Sequence, residues 1–446
     1  MKDKPVTIEH TFEMLKKAAC IGVCLAKEDK PLVEEHLKEL GSLANTLGLE
    51  PIFQIVVPIK QFDSATYIGS GKVQELSEKM EQEGIDVIIF DDEITPNQQK
   101  NLEQVFKKPV IDRTELILEI FASRAQTKEA HLQIELAQIK YQLPRLKRMW
   151  THLSRQRTGG SGYLKGEGEK QIEIDRRILK AKITRLEKEL KEVRAIRETQ
   201  RQQRKKTKIP TFAIVGYTNA GKSTLLNALT DAGVITEDKL FCTLDTTTRK
   251  FSLPNHQSVL LVDTVGFIRK LPHTLVEAFK STLEEVCYTD ILIHVLDVSH
   301  PMVKEHAEAT MQVLKELKAD KKPQIVVLNK IDALHNPMLV TRYRMEFQKS
   351  IGISAKEKTG FDDLLEMMMK EIKALRKIFK IKIPQSEYGL IAELSKQGQV
   401  LKSEYEENDI LLEIEIPKEL EHKLQPYQVT DEETAETRSA RDFWDH

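Results

Sequence analysis

The sequence predicts an α/β protein, and three observations carry that prediction. Apolar runs of strand length alternate with helical patterns through most of the 446 residues. A glycine-rich loop, Gly216-Tyr217-Thr218-Asn219-Ala220-Gly221-Lys222-Ser223, stands between one such run and a helical pattern. Two stripes of large apolar side chains at coiled-coil spacing interrupt the alternation between residues 132 and 193.

The loop is the most specific of the three. It follows Phe212-Ala213-Ile214-Val215 and precedes Thr224-Leu225-Leu226-Asn227-Ala228-Leu229, the strand, loop and helix context that a P-loop needs. Its glycines let backbone N–H groups turn toward phosphates, and the helix N-terminus adds its positive dipole end. Lys222 is placed to reach the β- and γ-phosphates, and the Ser223 hydroxyl to ligate Mg²⁺.

Later stretches select the base. Asp263-Thr264-Val265-Gly266 ends the run Val259-Leu260-Leu261-Val262, so Asp263 can hold the Mg²⁺ shell and Gly266 can offer its N–H to a γ-phosphate. Asn329-Lys330-Ile331-Asp332 ends Ile325-Val326-Val327-Leu328. A carboxylate at Asp332 accepts from guanine N1–H and the exocyclic amine. Adenine lacks that donor pair and would leave the carboxylate unpaired, at a cost of about 1–3 kcal/mol or more. Ser354-Ala355-Lys356 follows and resembles the loop whose backbone meets the guanine oxygen. Four such stretches in this order define a P-loop GTPase domain, placed at 209–378.

The switch chemistry is less determined. Phe241-Cys242-Thr243-Leu244-Asp245-Thr246-Thr247-Thr248-Arg249 is polar and rich in hydroxyls, and one threonine in it should ligate Mg²⁺ only when a γ-phosphate is present. Spacing alone does not choose among the four. Phe267 stands where many small GTPases carry the glutamine that orients the attacking water. No catalytic residue can therefore be named. Unaided hydrolysis should be slow, with the missing group supplied by a partner or by another part of the chain.

Composition bounds the remainder. The length suggests about three domains; a hydrophobic share of 40% and a charged share of 31% fit a soluble globular protein. No apolar run approaches the roughly 18 residues of a membrane span, and the first residues lack the core of a signal peptide. The four cysteines, Cys20, Cys24, Cys242 and Cys287, show no metal-site pairing and read as reduced thiols. The expectation is a cytoplasmic monomer with at most transient membrane association.

The net charge of −1 hides a division. Between Lys140 and Pro210 stand 22 Lys and Arg against 8 Asp and Glu. A basic segment within an acidic remainder is an electrostatic footprint for nucleic acid. Leu132, Leu136, Ile139, Leu143, Leu146 and Trp150 form one stripe, and Leu179, Ile183, Leu186, Leu190 and Val193 another. Neither can bury itself alone, so the segment 116–206 reads as a long antiparallel helical hairpin. Its glycine-rich tip, 158–169, is read as a loop, and Pro144 should kink or end the first arm. Arg155, Arg157 and Lys165 at the tip, with Arg176, Arg177, Lys180 and Lys182 on the stem, are the RNA-binding candidates. RNA fits better than duplex DNA because no groove-reading helix stands out.

Residues 1–115 alternate strand signals (Ile21–Leu25, Phe53–Val57, Val87–Phe90) with polar helical stretches, as in a small, largely parallel α/β domain. Gly69-Ser70-Gly71-Lys72 loosely resembles a phosphate loop but lacks the first glycine at P-loop spacing. Residues 379–446 read as a small α+β domain, with strands at Leu390–Leu394 and Ile410–Ile416 and a polar tail from Asp431.

Further runs carry a family resemblance. Phe90-Asp91-Asp92-Glu93-Ile94-Thr95-Pro96-Asn97-Gln98, Asp112-Arg113-Thr114, Ile120-Phe121-Ala122-Ser123-Arg124-Ala125, Leu143-Pro144-Arg145-Leu146 and Asp263-Thr264-Val265-Gly266-Phe267-Ile268-Arg269 are similar to motifs of the HflX family. The resemblance implies a GTPase that binds the large ribosomal subunit and splits stalled ribosomes under stress. It implies that the hairpin tip reaches the peptidyl transferase region, and it points to Thr243 as the switch ligand of Mg²⁺. The tip departs from the family's Gly-Pro-Gly-Glu run, since Gly166-Glu167-Gly168-Glu169 stands here. Asn219 resembles the asparagine of potassium-activated GTPases, which adds K⁺ to Mg²⁺ as an expected cation. An RNA-binding assembly or dormancy factor, gated by GTP, is the other function compatible with these motifs.

Overall fold

The structure is a computed structural model. It describes residues 16–25, 29–146, 165–207, 209–230, 240–241, 247–271, 285–334, 336–387, 389–391, 394, 399–406, 408–417 and 424–427.

The first unit runs β1 (Lys17–Cys24), α1 (Lys30–Thr46), β2 (Glu50–Pro58), α2 (Ser70–Gln82), β3 (Val87–Phe90), α3 (Pro96–Phe106), β4 (Val110–Asp112) and α4 (Arg113–Arg124). The strands form a parallel sheet in the order β2-β1-β3-β4. All four residues of β3 are buried, as expected for a strand covered on both faces. The helix starts are encoded locally. Thr95 and Gln98 form a reciprocal capping box at α3 ahead of Pro96. The Asp112 carboxylate accepts from Glu115 N–H at 2.9 Å to start α4. The short strand β4 has three residues, all buried, too few to show an alternation in the sequence.

The next arm, α5 (Lys128–Gln142), is capped by Thr127 and gives way to a 3₁₀ turn at Leu143–Arg145. Pro144 explains the change, because it offers no N–H and crowds the preceding turn. Arg145 then turns inward. Its guanidinium donates to the Gln99 side chain, the Ile94 carbonyl and Asp112, and stacks over the Tyr141 ring. Burial pushes the Asp112 carboxyl up to about 6, with Glu115 adding to the rise and Arg145 opposing it.

The second arm, α6, spans Lys165–Thr207, 43 residues. It corrects the sequence reading at one point, since Lys165–Glu169 is helical rather than loop. Gly166 and Gly168 sit in the first turn, where they cost least. Leu132, Leu136 and Ile139 pack against Leu186 and Leu190, flanked by Leu179, Ile183 and Val193. The two stripes cover each other. Residues 147–164, including Trp150, Arg155 and Arg157, lie outside the described residues.

The central unit comprises β5 (Thr211–Gly216), α7 (Lys222–Thr230), β6 (Thr247–Ser252), β7 (Ser258–Asp263), β8 (Ile291–Asp297), α8 (Val303–Glu316), β9 (Gln324–Asn329), α9 (Met338–Glu346), β10 (Ser350–Gly352) and α10 (Phe361–Leu375). Its sheet order is β10-β9-β8-β5-β7-β6, parallel except for β6 against β7. A single apolar cluster joins it to the first unit, from Leu37, Leu40 and Phe121 to Val215, Tyr217, Phe241 and Phe267.

A third sheet, antiparallel, has the order β11 (Arg376–Pro384), β13 (Asp409–Pro417), β12 (Gln399–Glu406). Here a strand expectation fails, because Gly389–Ile391 and Leu394 are helical. Ile391 and Leu394 are both buried against this sheet, and their spacing of three residues suits one face of a helix.

Candidate functional site

The site is assembled at the carboxyl ends of β5, β7 and β9, where ligands bind in open parallel sheets. Gly216 leaves β5 with φ +152, and a Cβ there would stand 2.3 Å from the Val295 carbonyl oxygen. Thr218 N–H donates to the Phe267 carbonyl at 2.7 Å, and Phe267 N–H donates to the Gly216 carbonyl at 3.0 Å. The phosphate loop and the segment after Asp263 are thus laced together through backbone.

Lys222 is buried, and its ammonium donates to the Tyr217 carbonyl at 2.7 Å. The Ser223 hydroxyl donates to Asp263 Oδ2 at 2.7 Å, and Asp263 is fully buried. Two hard oxygen donors therefore converge beside the loop lysine, a donor set that fits Mg²⁺. When bound, the ion would be held by Ser223 and by a water shell on Asp263, and would neutralise charge on the β- and γ-phosphates. Thr264 hydroxyl donates to the Ile214 carbonyl at 2.7 Å, which fixes the start of the second switch.

The base-recognition stretches are tied to the phosphate loop. Asn329 donates from its side-chain amide to the Ala220 carbonyl at 2.8 Å and accepts from Ala355 N–H at 3.0 Å. Lys330 adopts a left-handed conformation, φ +63, and its ammonium lies 2.7 Å from Asp297. Ser354 is buried, with its hydroxyl accepting from Glu357 N–H at 3.1 Å. Ile331 is half-buried, whereas Asp332 and Lys356 are exposed at the mouth, where Asp332 can meet a base edge.

Asn219 is exposed in a left-handed conformation, φ +60. Val265 and Phe267 are buried in the shared core, so the Phe267 ring packs rather than faces a water. Phe241 packs edge-on against Phe121 at 4.6 Å. Cys242, Thr243, Leu244 and Asp245, and with them the threonine ligand, lie outside the described residues.

Sequence reasoning missed a second set of residues that touch this loop. Tyr217 hydroxyl donates to Glu39 Oε2 at 2.5 Å and accepts from Arg269 N–H at 2.9 Å, while its ring stacks on His306 at 3.7 Å. Arg269 grips both oxygens of Asp91, at 2.7 and 2.8 Å, and Arg113 bridges Asp91 and Glu39. Burial opposes ionisation of Glu39 and Asp91, but the Arg113 and Arg269 guanidiniums outweigh it and hold both carboxyls below their usual range. Tyr217 lies in the phosphate loop and Asp91, Arg113 and Arg269 in the runs that resemble the family's motifs, but nothing in those separate runs, nor at Glu39 or His306, signals that they meet.

His294, on β8, is fully buried, and its Nε2 lacks a hydrogen-bond partner among the described residues. Burial, with Lys222 nearby, lowers its pKa to about 4, and burial likewise lowers His306 to about 4. Both folded values lie below the unfolded one. Acidification from pH 6.5 to 4 therefore protonates the unfolded chain first, and stability falls with pH across that window. His294→Phe should flatten the loss, by up to about 3 kcal/mol in the pH 4 limit. Urea melts at pH 7 and 4.5 would show it, and identical slopes in the two proteins would contradict it.

On the stem, Arg176, Arg177 and Lys180 are exposed. Lys182 is exposed too but lies 2.5 Å from Glu135, so its charge is shared with the other arm. Lys165 lies in the first turn of α6.

This strand, loop and sheet arrangement defines a P-loop GTPase. Residues 34–122 match the family described as GTP-binding GTPase N-terminal, 124–204 the GTP-binding GTPase Middle Region, and 211–330 the 50S ribosome-binding GTPase family. The chain is 48% identical over 404 residues to GTPase HflX of Chlamydia pneumoniae, covering 90% of this chain and 86% of that one. It is 39% identical over 393 residues to GTPase HflX of Escherichia coli K12, covering 87% and 91%. A crystal structure of a GTP-binding protein from Sulfolobus solfataricus in complex with GDP aligns at 28% identity and a TM-score of 0.42, over 80% of this chain and 98% of that one. The chain belongs to the HflX family of GTPases, and its activity is the hydrolysis of GTP to GDP and phosphate. No helix among the described residues is long and apolar enough to cross a membrane.

Proposed function

We propose that this GTPase binds the large ribosomal subunit and uses its nucleotide cycle to separate the subunits of stalled ribosomes. The observation that carries the reading is α6, a long basic rod whose last residue, Thr207, stands four positions before β5, the strand that opens the phosphate loop. Arg176, Arg177 and Lys180 give that rod exposed charge for RNA phosphates, and the family description of residues 211–330 names a 50S ribosome-binding GTPase.

GTP occupies residues 216–223 with its phosphates, 263–266 with the γ-phosphate and 329–332 with 354–356 at the base. Phe241–Asp245 adds the switch segment to the GTP-binding set, and Ser223 and Thr243 ligate Mg²⁺. K⁺ at Asn219 assists. Phe267 offers no group to orient water, so hydrolysis is slow alone and rises with large subunits. The protein works as a cytoplasmic monomer, with the tip directed at ribosomal RNA near the peptidyl transferase region.

Deleting Thr158 through Gly168 and closing the gap with glycines should abolish splitting while GTP binding stays within about twofold. The stripes of α5 and α6 lie outside the deletion. Sedimentation of intact ribosomes with protein and GTP reads the outcome: a deleted protein that still separates subunits at the wild-type rate would reject the tip. Neutralising Arg176, Arg177 and Lys180 should instead weaken RNA binding broadly and flatten its salt dependence, by up to about one slope unit per lost phosphate contact. Unchanged ribosomes with the wild-type protein would favour an assembly or dormancy role.

A further inference from the structure

The loop from Ile59 to Gly69 joins β2 to α2 on the carboxyl edge of the first unit's parallel sheet, the edge where open sheets of this kind hold ligands. It is fixed at the backbone. Asp63 and Tyr67 exchange two backbone hydrogen bonds of 3.0 Å each. The Asp63 carboxylate accepts from Ala65 N–H at 2.7 Å and from Thr66 N–H at 2.8 Å. From α3, the Gln98 amide donates to the Asp63 carbonyl at 2.9 Å, and the Asn101 amide to the Ala65 carbonyl at 2.8 Å. Tyr67 itself sits at φ +66, a region that a bulky side chain adopts only under constraint. A connection that merely linked a strand to a helix would need none of this.

What the loop holds in place is a pair of aromatic rings. Phe62 is 50% exposed, and its ring lies 5.0 Å from that of Tyr67 at an interplanar angle of 31°. Tyr67 in turn meets Phe90 of the core edge-on at 6.1 Å, so the pair is anchored from the inside. Half of the Phe62 surface is thereby offered to solvent on a fixed support. The carboxylates beside it are engaged within the protein, Asp63 by the turn and Asp92 by Lys270. Lys60 is exposed two residues before Phe62. Lys72, which also bridges Glu75 at 2.6 Å, stands in the first turn of α2. The rings are thus bracketed along the chain by two cations, which complements a base carried between two phosphates.

We propose that Phe62 and Tyr67 form a stacking platform for an unpaired base of RNA, with Lys60 meeting an adjoining phosphate. The proposal rests on the reading of a ribosomal RNA partner and adds to it a contact remote in sequence from α6. A base within a duplex is already stacked on both faces and offers no ring to Phe62, so the platform selects unpaired RNA. The stem acts differently, because its exposed Arg176, Arg177 and Lys180 meet the phosphates of either form. An apolar protein segment fits less well, since two rings fall far short of the roughly 800 Å² that a stable protein interface takes from each side.

The test is fluorescence anisotropy of the full chain with two labelled RNAs of about 12 nucleotides, one single-stranded and one paired as a duplex. Phe62→Ala should weaken binding of the single-stranded RNA about tenfold and leave the duplex, and GDP, within about twofold. Phe62→Trp should retain binding, and the emission it adds to the wild-type signal should be quenched by the single-stranded RNA but not by the duplex. Lys60→Gln should weaken the same RNA less and lower its salt slope by up to about one unit. Equal losses for the two RNAs, or none, would overturn the platform. A loss of affinity for large subunits with none for RNA would give the rings to a protein partner and overturn it too. If the wild-type chain binds neither RNA, the ribosomal RNA reading falls together with the platform; if it binds both and Phe62→Ala changes nothing, only the platform falls.

Discussion

Asp332→Asn should lower affinity for GTP about a hundredfold and leave affinity for the xanthine nucleotide higher than for GTP. Asp332 is exposed at the end of the Asn329–Asp332 stretch, so the substitution disturbs no packing and reports on the base alone. A carboxylate accepts two hydrogen bonds from guanine. An amide presents a donor to one of those donors, leaving both unpaired inside the complex, and each unmet group costs about 1–3 kcal/mol. Xanthine replaces the exocyclic amine by an oxygen, which the amide can meet. Competition between GTP and XTP for the protein measures the effect; equal displacement by both would remove Asp332 from base recognition.

Gly221→Ala should abolish nucleotide binding, with a loss of at least about a hundredfold, while leaving the chain folded. Two penalties coincide at this residue. Its φ of +93 lies where a side chain is strained, and a Cβ would stand 2.2 Å from the Asn329 amide nitrogen. That amide holds the Ala220 carbonyl, and its oxygen holds Ala355 N–H. Displacing it loosens the phosphate loop and the base loop together, so GDP and GTP should be lost equally. Fluorescence titration with both nucleotides would check this. Retained GDP affinity would place the loop contact elsewhere.

The central sheet and its loops were legible because function there is written in contiguous residues. A strand, a turn and a helix start must follow one another for a phosphate to be cradled, and 212–229 shows all three. The stripes of α5 and α6 were legible for a similar reason, since each must be continuous to bury itself. The cluster around Asp91 was not. Its members are spread from Glu39 to Arg269 over separate segments, no one segment shows that they meet, and only the packing of two domains desolvates the charged ones. The Leu390–Leu394 run misled because a short apolar run fits strand and helix alike. Lys165–Glu169 misled because glycines signal a loop, yet the first helical turn tolerates them.

The length of α6 has a mechanical consequence. At about 1.5 Å per residue its 43 residues form a shaft of about 64 Å, seated at one end beside β5. A rotation of about 5° at that seat sweeps the far end through about 6 Å, on the order of one helical turn. A fraction of an ångström at the hinge, the scale on which a phosphate-binding strand adjusts to its ligand, is thereby geared into a stroke as large as a side chain.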